Sequence, residues 1–212
     1  MLRGWLLKPI FNPTAGTATS SMMDNLKLFA LINASSNTPH WQLAIAVWIA
    51  QWLIWCVPLA MAAAWVRGDD EDRSNLLEML VAALFALGLA QVVTHAWPQP
   101  RPFMLHLGRQ LLAHDADPGL PSDHVTVFWS IAAAALAGTR FRPWGLVLFS
   151  LGLLVGWSRV FLGIHFPLDV LAALPASAAG AMLARALRAQ LWPVYALASR
   201  TWDRAAHPFT RR

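Results

Sequence analysis

Seven side chains that can bind an anion or act on it stand near the ends of apolar segments between residues 101 and 169. They comprise two arginines, two histidines, two aspartates and a serine: Arg101, Ser122, Asp123, His124, Arg159, His165 and Asp169. Arginine suits an oxygen-rich anion because its planar guanidinium donates two parallel hydrogen bonds, and a neutral histidine can act as a nucleophile. These residue types predict a site that binds an oxygen-rich anion beside a reactive histidine.

The spacing of His165 and Asp169 indicates which histidine reacts. The two residues are four positions apart, which allows contact on one helical face, and Pro167 between them disfavours a regular helix before it. We therefore expect the pair to meet across a helix start. An aspartate bound to one imidazole nitrogen leaves the other nitrogen free as a nucleophile. His124 would then donate a proton to the leaving oxygen.

A second anion-binding element is predicted where the apolar segment 122–137 begins. Ser122 is a good N-cap, and capping is compatible with a catalytic role. The backbone N–H groups that open a helix have no partners within it, and the helix dipole favours negative charge there. Ser122 and this helix start therefore form a cradle for an anion.

The elements that position these residues are predicted to be transmembrane helices. Of the 212 residues, 57% are hydrophobic and only 13% are charged, whereas soluble domains carry about 25% charged residues. Several apolar stretches reach the roughly 20 residues that a helix needs to cross a bilayer. We predict an all-α polytopic membrane helix bundle with about five transmembrane helices and short interfacial helices. The spans cover about residues 41–66, 75–97, 122–137, 144–160 and 167–186.

The chain divides into three predicted regions. Residues 1–40 form an N-terminal arm, residues 41–186 form the transmembrane domain, and residues 187–212 form a basic tail with a short amphipathic helix. Within the arm, residues 25–34 are apolar but too short to span a bilayer. They form either an interfacial or re-entrant helix or a short packing helix.

The basic residues indicate an orientation. Ten arginines lie in the turns 67–74 and 138–143 and in the segment 185–212, and the other six basic residues lie on the opposite side if the N-terminus is there too. The side with more positive charge is expected to be cytoplasmic, so the connection 98–121 and the predicted site face outward. Because the basic residues lie at the ends of apolar runs, we predict the bilayer, and no nucleic acid, as their partner.

Three motifs resemble the signature of the type 2 phosphatidic acid phosphatase (PAP2) superfamily. That signature comprises Lys-x6-Arg-Pro, Pro-Ser-Gly-His and Ser-Arg-x5-His-x3-Asp. The chain has "RP" at 101–102, "PSDH" at 121–124 and "SRVFLGIHFPLD" at 158–169, so the resemblance covers roughly residues 94–170. The third motif is the most specific, because all of its defined residues stand at the required spacing. Asp123, in place of the glycine, resembles the bacterial undecaprenyl pyrophosphate phosphatase branch.

The resemblance implies a role for each residue. His165 would attack phosphorus and form a phosphohistidine, Asp169 would orient it, and His124 would protonate the leaving group. The residues implied in binding the phosphate are Arg101, Ser122, Asp123 and Arg159. The family needs neither a metal ion nor another cofactor, which agrees with a sequence that has no compact carboxylate cluster for Mg²⁺ at this site.

The first motif departs from the family pattern. The family lysine would fall at Thr94, which can donate a hydrogen bond but carries no charge. We add Thr94 and its neighbour His95 to the predicted phosphate-binding residues, with His106 and Arg109 as other sources of the missing positive charge.

The connection 98–121 carries a further polar cluster, formed by His114, Asp115 and Asp117. These residues could bind a cation or steer a substrate. A solvated loop is the more common origin of such a cluster, and we favour that interpretation.

The resemblance implies a lipid phosphatase that converts undecaprenyl pyrophosphate to undecaprenyl phosphate and phosphate. It would recycle the carrier lipid of the cell wall at the outer face of the bacterial cytoplasmic (inner) membrane, and its partner would be an isoprenoid pyrophosphate lipid. One alternative is a phosphatase of phosphatidylglycerophosphate, phosphatidic acid or lipid A, or a lipid phosphotransferase. Another is a lipid-binding or transport protein, which would keep its function if His165 were replaced.

Overall fold

A computed structural model describes the backbone of residues 16–210 and the side chains of residues 22–206. Residues 1–15 of the predicted N-terminal arm and the last two residues of the predicted tail lie outside the described residues. Between residues 16 and 210 the regular structure is helical, without strands. In chain order the α-helices are α1 (Gly16–Ile32), α2 (His40–Trp52), α3 (Cys56–Arg67), α4 (Asp70–Ala96), α5 (Asp123–Ala137), α6 (Arg142–Phe161), α7 (Pro167–Leu171), α8 (Ala173–Ala186) and α9 (Arg188–Thr210).

Four helical segments are long and apolar enough to cross a membrane. They are His40–Arg67, which combines α2 and α3 through the 3₁₀ turn Leu53–Trp55, Asp70–Ala96, Arg142–Phe161, and Pro167–Ala186, which combines α7 and α8. Helix α5 is also apolar but has 15 residues, fewer than the roughly 20 that span a bilayer. These five segments coincide with the predicted spans, and they confirm an all-α, polytopic membrane bundle.

Helix α5 is the central helix of the bundle and packs against α4, α6 and α8. Val125 and Phe128 are fully buried. Trp129 stacks on Phe149 of α6, and its indole N–H donates to the Phe149 carbonyl oxygen at 3.1 Å. Because neighbouring helices surround α5, its first turn, which follows Ser122, is held at a defined position in the bundle.

The charged turn before the second span is shorter than predicted, because α4 begins at Asp70. Asp69 caps this helix: its carboxylate accepts from the Asp72 N–H at 2.8 Å, and the Asp72 carboxylate accepts from the Asp69 N–H at 3.3 Å. Arg140, in the turn between α5 and α6, binds Asp72 at 2.6 Å and Asp69 at 2.9 Å. The two turns on the predicted cytoplasmic side are therefore joined by ion pairs.

Helix α9 covers most of the predicted basic tail and, with 23 residues, is longer than the short helix expected there. Two ion pairs attach it to the beginning of α4. Asp203 binds Arg73 at 2.8 Å, and Arg188 binds Glu78. Tyr195 of α9 is buried. The tail is thus packed across the N-terminal end of α4.

Helix α1 lies at the other end of the bundle. Phe29 is buried and meets Phe166 edge-on, with ring centroids 5.3 Å apart. Asn33, just after α1, donates to the carbonyl oxygens of Arg109 and Phe161 at 3.1 and 3.0 Å. Helix α1 therefore packs onto the bundle, which is one of the two alternatives for this segment.

The contact between α4 and α8 depends on Gly180. A Cβ atom added there would lie 2.6 Å from the backbone nitrogen of Ala86 and 2.7 Å from the carbonyl oxygen of Ala82. Small residues on both helices let the two backbones approach closely, as they do between helices in membranes.

Gly180→Ala is expected to lower the free energy of unfolding by about 1–3 kcal/mol, because the added methyl group must push α8 away from α4. Gly88→Ala in α4 is the matched control, since no atom lies within 4 Å of a Cβ placed at Gly88. Thermal unfolding of the purified variants in detergent measures the difference. Equal transition temperatures for the two variants would contradict the close packing of α4 on α8.

Candidate active site

One end of the bundle gathers the three predicted motifs. Residues 97–122, which we call the connecting loop, join α4 to α5 and fold over this end. The Leu111 N–H donates to the Leu162 carbonyl oxygen at 2.9 Å, and the Ser122 N–H donates to the Asp169 carbonyl oxygen at 3.0 Å. These backbone bonds fasten the loop to the segment between α6 and α8, so residues from distant parts of the chain meet here.

His165 and Asp169 form a buried pair at the start of α7. Pro167 occupies the first position of this helix, and the Asp169 carboxylate accepts from the Phe166 N–H at 2.8 Å. The same oxygen, Oδ2, lies 3.3 Å from His165 Nδ1. The side chains therefore meet across a helix start, as their four-residue spacing predicts.

The contacts of His165 define its tautomer. The NH1 group of Arg101 lies 2.9 Å from His165 Nε2. Because a guanidinium only donates hydrogen bonds, Nε2 is the acceptor and carries the lone pair, while Nδ1–H faces Asp169. Burial lowers the pKa of His165 well below its ordinary value, and the charges of Arg159 and Arg101 lower it further. The imidazole is neutral, with the lone pair of Nε2 directed at Arg101.

Arg101 is buried and held mainly by the connecting loop. Its Nε donates to the carbonyl oxygen of Asp117 at 3.0 Å and to the Asp117 carboxylate at 3.1 Å. NH2 donates to the Pro118 carbonyl oxygen and NH1 to that of Ile164, both at 3.3 Å. These acceptors compensate the cost of burying a charge.

Arg159 and Ser122 keep donors free. Arg159 NH1 donates to the Ala50 carbonyl oxygen at 3.3 Å, and NH2 lies 3.1 Å from His114 Nε2. Its Nε and the Ser122 hydroxyl are both buried and have no hydrogen-bond partner within the described part of the chain. These free donors lie on or near buried guanidinium groups, so they suit an anionic ligand.

The first turn of α5 places its two polar residues differently. His124 is half-buried, and a charge on it lowers the pKa of His165, so it lies within the electrostatic reach of that ring. Asp123 is exposed, and its carboxylate lies 3.4 Å from the side-chain nitrogen of Gln91. Both residues thus lie within the electrostatic reach of Arg101 and Arg159, and Asp123 also contacts α4.

Thr94 and His95 do not join this cluster. The Thr94 hydroxyl lies 2.9 Å from each of the carbonyl oxygens of Ala90 and Leu120, so it fastens the connecting loop to α4. His95 is exposed, and its Nδ1 lies 2.7 Å from the Gln91 carbonyl oxygen. Thr94, which stands at the position of the family lysine, therefore makes a structural contact. Its hydroxyl donates no hydrogen bond to the group around His165.

The two other sources considered for the missing charge also lie elsewhere. Arg109 binds the carbonyl oxygen of Ser35, in the segment between α1 and α2. His106 is exposed and adopts a left-handed backbone conformation with φ of 56°. Neither side chain is shown in contact with Arg101 or Arg159.

His114 and Asp117, which we interpreted as part of a solvated loop, instead contact the two arginines. The His114 ring lies 6.5 Å from the His165 ring, centroid to centroid, and its Nε2 faces Arg159. Asp117 binds Arg101. The signal available in the sequence was a histidine and an acid three residues apart shortly before the second motif. Asp115 is exposed, as expected.

Gly119 lets the connecting loop pack closely against Arg101 and Asp169. A Cβ atom at this position would lie 2.9 Å from Cγ of Arg101 and 3.2 Å from Oδ2 of Asp169. A glycine here therefore lets the connecting loop touch the residues of the first and third motifs at once.

Among the described residues, no group of three or more His, Cys, Asp or Glu side chains could hold a metal ion.

Comparison with known proteins identifies the family of the chain. The family model described as the PAP2 superfamily matches residues 75–205. The chain is 37% identical to YbjG of Escherichia coli strain K12, named as a candidate undecaprenyl-diphosphatase, over 76% of this chain and 81% of that protein. It is 34% identical to the undecaprenyl-diphosphatase BcrC of Bacillus subtilis strain 168, over 71% of this chain and 77% of that protein.

Two crystal structures share the fold. LpxE of Aquifex aeolicus superposes with a TM-score of 0.63 at 22% identity, covering 76% of this chain and 93% of its own. A PAP2-type phosphatidylglycerolphosphate phosphatase of Bacillus subtilis superposes with a TM-score of 0.56 at 19% identity, covering 84% and 89%. The family match over most of the chain and the two sequence relatives show that the protein is a multi-pass membrane phosphatase that belongs to the PAP2 superfamily.

Proposed function

We propose that this protein hydrolyses undecaprenyl pyrophosphate to undecaprenyl phosphate and inorganic phosphate, with His165 as the nucleophile. The observation that carries the proposal is the pair of contacts that His165 makes through its two ring nitrogens, from which a lone pair on Nε2 follows. Asp169 holds the proton of the ring on the opposite nitrogen, and Arg101 lies 2.9 Å from Nε2. A neutral, oriented imidazole beside a buried cation is suited to attack a phosphoryl group.

In the first half-reaction, the terminal phosphoryl group of the substrate binds between the two arginines. Its oxygens accept from Arg101, from Nε of Arg159 and from the Ser122 hydroxyl. As Arg101 NH1 moves from His165 Nε2 to a phosphoryl oxygen, the lone pair becomes free to attack. A bond forms between Nε2 and phosphorus and the bond from phosphorus to the bridging oxygen breaks. His124, whose protonated form is favoured by the negative charge of the bound pyrophosphate, donates its proton to the departing lipid phosphate.

In the second half-reaction, water replaces the lipid phosphate. The now neutral His124 accepts a proton from water, whose oxygen bonds to phosphorus while the bond to Nε2 breaks. Inorganic phosphate leaves, His165 returns to its neutral form and His124 to its protonated form. Asp169 holds the Nδ1 proton throughout and stabilises the charge that develops on the ring.

The isoprenoid substrate is proposed on the basis of the sequence relatives. BcrC, named as an undecaprenyl-diphosphatase, is 34% identical to this chain, whereas the two structural neighbours are 22% and 19% identical. A phosphatase of another lipid phosphate is the alternative, because those neighbours include a phosphatidylglycerolphosphate phosphatase.

We further propose that the site faces the periplasm or the cell exterior across the bacterial inner membrane. The excess of arginine in the turns at the opposite end of the bundle supports this orientation. In this orientation the site would face the side of the membrane on which the carrier lipid, after delivering its sugars, remains as the pyrophosphate.

The purified protein is expected to release phosphate from undecaprenyl pyrophosphate in detergent faster than from phosphatidylglycerophosphate, phosphatidic acid or lipid A. His165→Ala should lower this rate at least about 1,000-fold, because it removes the nucleophile. Label from the terminal phosphate should appear on the wild-type protein under alkaline quench and not on His165→Ala. Size-exclusion profiles check that both proteins are folded. Release from glycerolipids alone would overturn the proposed substrate.

Gly119→Ala is expected to lower kcat/KM about 10- to 100-fold, because the added methyl group displaces Arg101 or Asp169 from its position. Gly138→Ala is the matched control at the far end of α5, where a Cβ meets its nearest atom at an ordinary 3.7 Å. Steady-state kinetics of both variants provide the comparison. If Gly119→Ala keeps activity within twofold of the control, the loop does not close on the reacting groups.

Single cysteines test the orientation in a Cys56→Ser background, which removes the one native cysteine. A membrane-impermeant maleimide added to intact cells should label Ala116→Cys in the connecting loop and leave Asp70→Cys unlabelled until the cells are opened. Both positions are exposed, so access depends on the side of the membrane. The reverse pattern would place the site in the cytoplasm.

A further inference from the structure

His114 contacts Arg159 although it belongs to none of the three motifs. Its Nε2 lies 3.1 Å from Arg159 NH2, and 45 residues separate the two in sequence. The His114 side chain is 24% exposed, although it belongs to a segment of mostly exposed residues. The connecting loop thus places an imidazole on one of the two buried cations.

The chemistry of the pair determines the state of His114. A guanidinium has no acceptor, so Nε2 must accept from Arg159 and the ring proton lies on Nδ1. Nδ1 is 3.2 Å from the Asp115 carbonyl oxygen and 3.5 Å from the Asp117 carboxylate. Burial lowers the pKa of His114, and the charges of Arg101 and Arg159 act in the same direction. His114 is therefore a neutral acceptor for Arg159.

The same loop also binds the other arginine. Asp117 accepts from Nε of Arg101 at 3.1 Å and lies beside His114 Nδ1. Arg159, His114, Asp117 and Arg101 thus form a continuous chain of contacts. Two like charges that repel each other are held in one site because a loop acceptor contacts each of them.

The contacts of Arg159 leave one donor for a ligand. NH1 is used by Ala50 and NH2 by His114, whereas the buried Nε has no partner in the described part of the chain. Ser122 presents a second unpartnered donor in the same site. If NH2 lost its acceptor, only the Ala50 carbonyl oxygen would hold the guanidinium. The group could then turn about its Cδ–Nε bond, and the direction of the Nε–H bond would be less restricted.

We propose that His114 is a positioning residue for phosphoryl transfer, which holds Arg159 NH2 so that Nε donates to the phosphoryl oxygens. The inference rests on the proposed function of the site and extends it to a residue outside the motifs. His114 acts through Arg159 and does not itself exchange protons with the substrate, because Arg159 occupies its only lone pair.

Three single variants test the role. His114→Ala removes the acceptor and should lower kcat/KM about 10- to 100-fold, because Arg159 is no longer oriented. His114→Gln offers an amide oxygen to Arg159 NH2 and should restore activity to within about fivefold of wild type. The remaining deficit corresponds to part of the free energy of one hydrogen bond. Asp115→Asn is the matched loop control, since its side chain is exposed and only its backbone contacts His114; it should behave as wild type.

A double-mutant cycle with Arg159→Lys separates positioning from a general structural effect. Orthovanadate binding, measured by calorimetry, is the readout because it requires no turnover. His114→Ala should weaken binding about tenfold in the wild-type background, the equivalent of one oriented hydrogen bond, and less than twofold when residue 159 is lysine. Equal losses in both backgrounds, or a Gln variant as weak as the Ala variant, would falsify the proposal.

The two proposals fail in different ways. If the wild-type protein releases phosphate from no lipid, the proposed function is wrong, yet the vanadate cycle still decides how His114 acts on the anion site. If the wild-type protein is active and His114→Ala is equally active, the proposed function stands and the inference about His114 is wrong.

Discussion

The buried contact between the Arg101 guanidinium and the His165 imidazole is the interaction on which the site depends. Both groups are almost completely removed from solvent, and a buried charge is unstable without acceptors around it. Backbone carbonyl oxygens and Asp117 supply most of these acceptors. The imidazole can supply the last one only while it is neutral and protonated at Nδ1 toward Asp169, so the packing of the arginine selects the tautomer in which Nε2 carries the lone pair.

The connecting loop and the helices contribute different residues to the site. The ends of α5, α6 and α7 hold Ser122, Arg159 and Asp169 on rigid elements, which is where precise geometry is obtained. The loop then adds acceptors that the helices do not have, through His114 and Asp117. Its backbone is bonded to the segment after α6, so it is positioned by the bundle although it lies outside the spans.

The features that could be predicted from the sequence were those set by residues close together in the chain. The spans were predictable because the bilayer sets a length for apolar segments, and His165 meets Asp169 because four residues separate them around a helix start. The contact of His114 with Arg159 crosses 45 residues, and no periodicity in the loop indicates it. The motif position predicted a phosphate contact for Thr94 but not its contacts within the protein. Its hydroxyl bonds to a carbonyl oxygen of its own helix, as threonine in helices commonly does.

The short length of α5 has a consequence for how a lipid reaches the site. Asp123 at its start lies level with Gln91 of α4, which continues for five more residues to Ala96, or about 7 Å at the rise of an α-helix. The reacting groups are thus recessed below the rim of the bundle. A phosphate bound by Ser122 and the arginines would lie at that depth, where guanidinium and hydroxyl groups replace part of its hydration shell.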